Sequence, residues 1–361
     1  MNKNKFMDVL DELKEELENE SFEDSNKEIH DGYYSEKNAN GEDIYEDEFG
    51  EIYKTDKKAL ILGSAVIDEI IKIEKLPQRG DDVKCFEETS SLGGCAYNIA
   101  CTMRNLGASH ELCVPVGTGK HADEIREKLY ARGYMEMIRD YEKDNGYCIC
   151  LVESDGERSF ITINGTESDF KREWLDLIEC EKYEIICISG YQMCGSSGEI
   201  ISKWISEVAE GKTVFFAPGP LITKIEPSIM NRMLSLSPII HINEKEACDF
   251  VNRGEDVEEA AKYISTVSEN MVIVTLGEKG ALLVKDGEVS YTEGFKSEVE
   301  DTIGAGDSHL GAVISGFVNN MDIYTTLKLA NSVASKIVGI KGAVMAEKEF
   351  KENVDLSELL Y

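Results

Sequence analysis

The chain is poor in positive charge: 38 Lys and Arg stand against 70 Asp and Glu in 361 residues, a formal net charge of −32. That imbalance excludes nucleic acid and anionic membrane surfaces as general partners. No apolar run approaches the roughly 18 residues of a membrane span, and the charged N-terminus lacks the hydrophobic region of a signal peptide. A cytoplasmic protein is expected. Ten cysteines include no Cys-x-x-Cys pair, and the five histidines are isolated. Zinc is therefore excluded, and the thiols are expected to be reduced and mostly buried. With so little basic charge, an anionic substrate has to be met by local donors.

One stretch can supply them. Asp301-Thr302-Ile303-Gly304-Ala305-Gly306-Asp307 follows a strand-like run, Lys296 to Glu300, and opens the apolar segment Ser308 to Phe317. A Gly-x-Gly turn feeding a helix start leaves backbone N–H groups unpaired and aimed one way, which holds an anion without any basic side chain. Asp307 sits at the mouth of that hole. A carboxylate there suits one task, taking the proton of a hydroxyl that attacks a phosphate. The same residues also read as a turn with an N-cap aspartate, and the rest of the chain has to decide.

Residues 1–56 form an acidic extension, with 19 acidic residues against 8 basic ones up to Lys58. Phe6, Val9, Leu10, Leu13 and Leu17 recur at helical spacing, and the remainder reads as a flexible or weakly docked tail. From residue 57 an α/β rhythm begins. Ala59 to Gly63 is a continuous apolar run suited to a strand buried on both faces, and Asp68 follows a few residues past its end. Gly93-Gly94-Cys95-Ala96-Tyr97-Asn98 is a second glycine turn before a helix, where Asn98 offers both a donor and an acceptor. Val116 to His121 fails as a phosphate-binding Walker motif, because the leading glycine and the residue after the lysine are wrong. Runs near 83–90 and 147–163, the latter with a hairpin turn at Ser154 to Glu157, predict a small β-sheet that projects as a lid. Further strands are predicted at Ile185–Ser189, Thr213–Phe216, Ile239–Ile242 and Val272–Leu276, with Asn243 to Glu246 and Thr275 to Gly280 at strand ends where ligands bind. Leu327 to Ile340 reads as a small-residue helix containing Asn331.

In this order, Gly-Gly-x-Ala-x-Asn (Gly93–Asn98), Asn-x-x-Glu (Asn243–Glu246), Thr-Leu-Gly-x-Lys-Gly (Thr275–Gly280) and Asp-Thr-x-Gly-Ala-Gly-Asp (Asp301–Asp307) resemble the ribokinase-like, or PfkB, carbohydrate kinases over about residue 57 to the C-terminus. The resemblance implies a three-layer α/β sandwich with a mainly parallel central sheet and a β-sheet lid, and ATP-dependent phosphorylation of a sugar hydroxyl. It implies Asp307 as general base, with Gly304, Ala305 and Gly306 as anion hole, and Asp68, Gly94 and Asn98 as sugar ligands. Asn243 and Glu246 would organise hydrated Mg²⁺, Thr275 and Gly277 would line the triphosphate, and Asn331 would lie near the adenine. Asp301 and the carbonyl of Ile303 match a monovalent-cation site of some members, so potassium activation is expected as an option, as is a homodimer through the lid.

Departures from the family pattern are Cys95 where several members have lysine, Ala217 before Pro218-Gly219-Pro220, Ile303 for a frequent threonine, and Ser308-His309. His309 reads as a packing residue or a support behind the site, because nothing nearby offers it a partner. Two other functions compete: a nucleoside kinase, for which Tyr97 and Phe86 are candidates for a base slot, and a sugar-binding sensor without catalysis.

Overall fold

The computed structural model describes residues 35–37, 43–45, 55–155, 157–251 and 256–354. The chain divides into two compact units, Met1–Lys54 and Thr55–Tyr361. In the first, Ser35–Lys37 pairs antiparallel with Asp43–Tyr45. The helix expected between Phe6 and Leu17, and most of the acidic extension, lie outside the described residues.

The second unit is built on an eight-stranded sheet. Its strands are β1 (Ala59–Leu62), β4 (His110–Cys113), β7 (Ile185–Ser189), β8 (Thr213–Ala217), β9 (Ile239–Asn243), β10 (Val272–Thr275), β11 (Ala281–Lys285) and β12 (Glu288–Thr292). They lie in the order β12-β11-β10-β9-β8-β7-β1-β4. The six from β10 to β4 are parallel, and β11 and β12 close one edge antiparallel. Apolar residues on both faces are what such a sheet demands, and they sort cleanly. Ala59 and Ile61 join one core, and Leu60 and Leu62 join the other.

Helices cover both faces. On one lie α1 (Cys95–Asn105), α2 (Lys120–Ala131), α7 (Ala305–Val318) and α8 (Ile323–Ile337). On the other lie α3 (Gly195–Val208), α4 (Pro227–Leu234), α5 (Glu244–Val251) and α6 (Val257–Ser268). Nearly every residue of α7 is buried. Gly311 allows it to touch α1, since a Cβ there would stand 2.7 Å from the carbonyl of Ile99. No helix among the described residues is long and apolar enough to cross a membrane.

The lid is a four-stranded sheet in the order β6 (Arg158–Ile163), β5 (Tyr147–Val152), β2 (Val66–Ile73), β3 (Cys85–Gly93). Two differences from the sequence expectation follow. Val66–Ile73 is the lid strand paired to both β3 and β5, so Asp68 belongs to the lid and not to a loop beyond β1. Lys296 to Glu300 forms no strand; the N–H groups of Glu300 and Asp301 both reach the carbonyl of Val338 instead.

Candidate active site

A cavity of about 220 Å³ opens at the ends of β7, β8, β9 and β10, where Ser189, Ala217, Asn243 and Thr275 line it. Among its lining residues are Cys95, Asn243, Glu246, Thr275, Gly304, Gly306 and Asp307. Three helices, α1, α5 and α7, begin at this cavity, so their N–H-rich ends converge on it. No Lys or Arg lines it.

At α7 the turn into the helix is made by Gly304, whose φ of +76° favours glycine and whose missing Cβ would strike Ala343 at 2.6 Å. No side chain caps this terminus. The N–H of Ala305 has only a long 3.4 Å contact to the carbonyl of Thr302, and those of Gly306 and Asp307 meet no acceptor among the described residues. A Cβ built on Gly306 would meet no protein atom within 4 Å. The helix end therefore presents unpaired N–H groups to the cavity.

Asp307 stands half-buried at its edge. The Asn98 amide donates to its Oδ2 at 2.8 Å, and the Cys95 thiol also bonds it. Burial nonetheless pushes its carboxyl up to about 6, and the Glu246 carboxylate adds to the rise. The close α1–α7 crossing is what brings Asn98 into reach. With its Nδ2 spent on Asp307, Asn98 leaves Oδ1 buried and without a donor among the described residues. Asp68, in the lid, is folded over Gly93, where a Cβ would stand 2.1 Å from its Oδ2, and burial alone pushes it up to about 6. Gly94 packs its backbone on the carbonyl of Ser64.

Asn243 and Glu246 form a capping box: Asn243 Oδ1 accepts from the Glu246 N–H at 2.8 Å, and Glu246 Oε2 accepts from the Asn243 N–H at 3.1 Å. Burial raises the Glu246 carboxyl. Two carboxylates thus share a cavity without a basic partner, which fits a hydrated dication. No cluster of three or more ligating side chains exists among the described residues.

The donor set at Asp301 does not suit a monovalent cation. Its Oδ1 accepts from Arg158 at 2.7 Å and from the Ile303 N–H at 2.9 Å, and its Oδ2 from the Gly342 N–H at 3.2 Å. Burial works against this carboxylate, yet the Arg158 guanidinium and the two N–H groups hold it below the usual carboxylate range. Asn331 is likewise engaged. Its Nδ2 donates to the carbonyls of Thr292 and Glu293, both at 3.0 Å, so its amide is spent inside the protein and does not face the cavity.

His309 has partners after all, and they come from distant elements. Because Asn331 Oδ1 accepts, His309 Nε2 carries the proton at 3.1 Å, and His309 Nδ1 then accepts from His241 Nε2 at 2.8 Å. Burial lowers both imidazoles, His309 to about 4, so the chain is neutral. It ties α7 to β9 and α8 two residues from Asp307. The nucleoside slot proposed from Tyr97 and Phe86 is not built: Tyr97 lies in the core, and Phe86 is 67% exposed on β3. The loop at Gly117 to His121 is filled by Asp144, whose carboxylate accepts from the N–H groups of His121 and Ala122.

A cavity of this kind belongs to a phosphotransferase acting on an alcohol. The model of the pfkB family carbohydrate kinases matches residues 56–349. An uncharacterized sugar kinase of Escherichia coli (strain K12) is 33% identical over 291 residues, covering 80% of this chain and 90% of that protein. The structure of Arabidopsis thaliana ribokinase complexed with ribose and ATP matches with a TM-score of 0.70 at 23% identity, over 85% of this chain and 98% of that one. Adenosine kinase from Sinorhizobium meliloti matches with a TM-score of 0.70 at 20% identity, over 81% and 96%. The chain belongs to the PfkB family of carbohydrate kinases and has the ribokinase-like fold.

The histidine chain yields a first expectation. His309→Leu strands the His241 donor and the Asn331 acceptor in the core, at a cost of about 2–5 kcal/mol. Denaturant unfolding of this variant and the parent measures it.

Proposed function

We propose that the protein transfers the γ-phosphoryl group of ATP to a hydroxyl of a sugar or sugar-like alcohol, with Asp307 as general base. The observation that carries this reading is the Asn98 amide, which holds the base with one end and leaves a buried acceptor at the other for a substrate hydroxyl. Asp68 accepts from a second hydroxyl from the lid side, and the backbone at Gly94 allows the sugar to approach closely. Asp307 takes the hydroxyl proton as that oxygen bonds the γ-phosphorus, and the bond from phosphorus to the bridging oxygen breaks to release ADP. The N–H groups at Gly304, Ala305 and Gly306 receive the charge on the moving phosphoryl oxygens.

Asn243, Thr275 and Gly277 line the path of the phosphates. Mg²⁺ brought in with ATP would be held through water by Glu246 and would neutralise phosphate charge. Asn331 supports the nucleotide side only indirectly, by fixing the backbone at Thr292 and Glu293. The reading also includes a cytoplasmic location and an assembly through the lid, whose outer strand β3 has a free edge. The sensor alternative has no use for an open anion hole beside a buried base.

Three outcomes test it. ATP consumption against a panel of sugars and nucleosides should find a sugar acceptor, and Asp307→Asn should lower that rate by about 10²–10⁴-fold; a full rate in this variant overturns the mechanism. Both Asp307 and Asp68 titrate near 6 and must be ionised, so kcat/KM should fall below that pH with a limiting slope of two, reduced to one in Asp68→Asn. The sign for stability is opposite: both carboxyls are raised above their ordinary value, so these two groups destabilise the ligand-free fold as pH rises from about 4 through 6. Gly306→Ala places a methyl in the phosphate space without touching protein, so the melting temperature should hold or rise while kcat/KM falls about 10²-fold.

A further inference from the structure

Among the described residues, one ion pair joins the lid to the loop that builds the anion hole, Arg158 to Asp301. Arg158 opens β6 and pairs with Val152, at the end of the lid sheet far from the core; the opposite end is Ile163 with Tyr147. Its guanidinium is a quarter exposed, and Asp301 is almost fully buried. Asp301 is also the organiser of its loop: its other bonds fix the N–H of Ile303, next to Gly304, and the N–H of Gly342, next to the Ala343 on which Gly304 rests.

We infer that Arg158 is a cation built into the lid that takes the place of a monovalent metal ion at the anion-hole loop. The protein then needs no potassium, and its anion hole is fully ordered only when the lid is seated. This rests on the phosphotransferase reading above. A buried carboxylate demands a positive partner, and here one arrives on the chain itself. A second cation at Asp301 would lie against a fixed guanidinium and be repelled. Lys341, beside Gly342 in the chain, is exposed and pairs with Glu300 at 3.8 Å, so it does not supply the charge. Removing Arg158 leaves a nearly buried anion without its counter-charge, its Oδ1 held by the Ile303 N–H alone, the condition that recruits a monovalent ion from solution. Arg158 is thus a positioning residue, acting on the transferred phosphoryl group through Asp301 and the turn at Gly304.

The test compares the parent, Arg158→Met and Arg158→Lys in KCl, NaCl and choline chloride at equal ionic strength, by rate and by melting temperature without ATP. The parent should show rates within about twofold and one melting temperature in all three salts. Arg158→Met should lose about tenfold or more in kcat in choline, with a smaller change in sugar KM, and recover severalfold in KCl. Its melting temperature should rise in KCl over choline. Arg158→Lys, which keeps the charge, should stay insensitive to the salt. The inference is overturned by potassium activation of the parent of about fivefold or more, by an Arg158→Met variant that matches the parent in every salt, or by a deficit in it that no cation repairs. If Arg158→Met fails to fold, the parent and Arg158→Lys decide by the same criteria. The melting measurements need no turnover, so they judge this inference even where no sugar in the panel is phosphorylated.

Discussion

The structure depends on keeping one carboxylate buried without a counter-ion. Asp307 is surrounded by a thiol, an amide and the ends of three helices, and among the described residues the only other charge lining its cavity is the like charge of Glu246. Such a group is costly to bury, and the fold meets the cost with oriented backbone in place of basic side chains. An arrangement of that kind favours whatever brings positive charge on arrival. A dication arriving with a ligand would do so, and the cavity is at its least favourable when empty.

Much of this geometry serves two purposes. The capping box at Asn243 and Glu246 ends β9, starts α5 and brings a carboxylate to the cavity, so one pair of bonds serves both the chain turn and the cavity lining. The Asn98 amide holds Asp307 with one end and leaves a buried acceptor at the other. The histidine chain has no chemistry of its own, being neutral on both rings, yet it holds α7 against β9 and α8 where a small rotation would misplace Asp307.

The parallel sheet was legible because strands buried on both faces leave unbroken apolar runs, and Ala59 to Leu62 and Ile185 to Ser189 show them. The uncapped glycine turn that opens α7 was legible because its glycines are local to it. What the sequence concealed was non-local or mixed in pattern. The strand from Val66 to Ile73 alternates poorly, carries Asp68, Glu69 and Lys72, and follows β1 with little to mark a change of sheet. His309 finds partners 68 and 22 residues away, and Arg158 finds Asp301 143 residues away; no periodicity signals either. Asn331 shows the converse, a position matched to the nucleotide side whose amide turns out to serve the protein's own backbone.

The lid joins the core at four crossings, and a glycine stands at each: Gly63 before β2, Gly93 and Gly94 after β3, Gly146 before β5 and Gly165 after β6. The crossings are pressed together, with Gly94 on the carbonyl of Ser64 and Gly165 on the N–H of Gly146. A flap hung from one or two strands can swing and twist. Four attachments close to one another remove the twist and leave a single rocking axis. Such a hinge would confine any movement of the lid to rocking, so that the end carrying Arg158 meets Asp301 in one register.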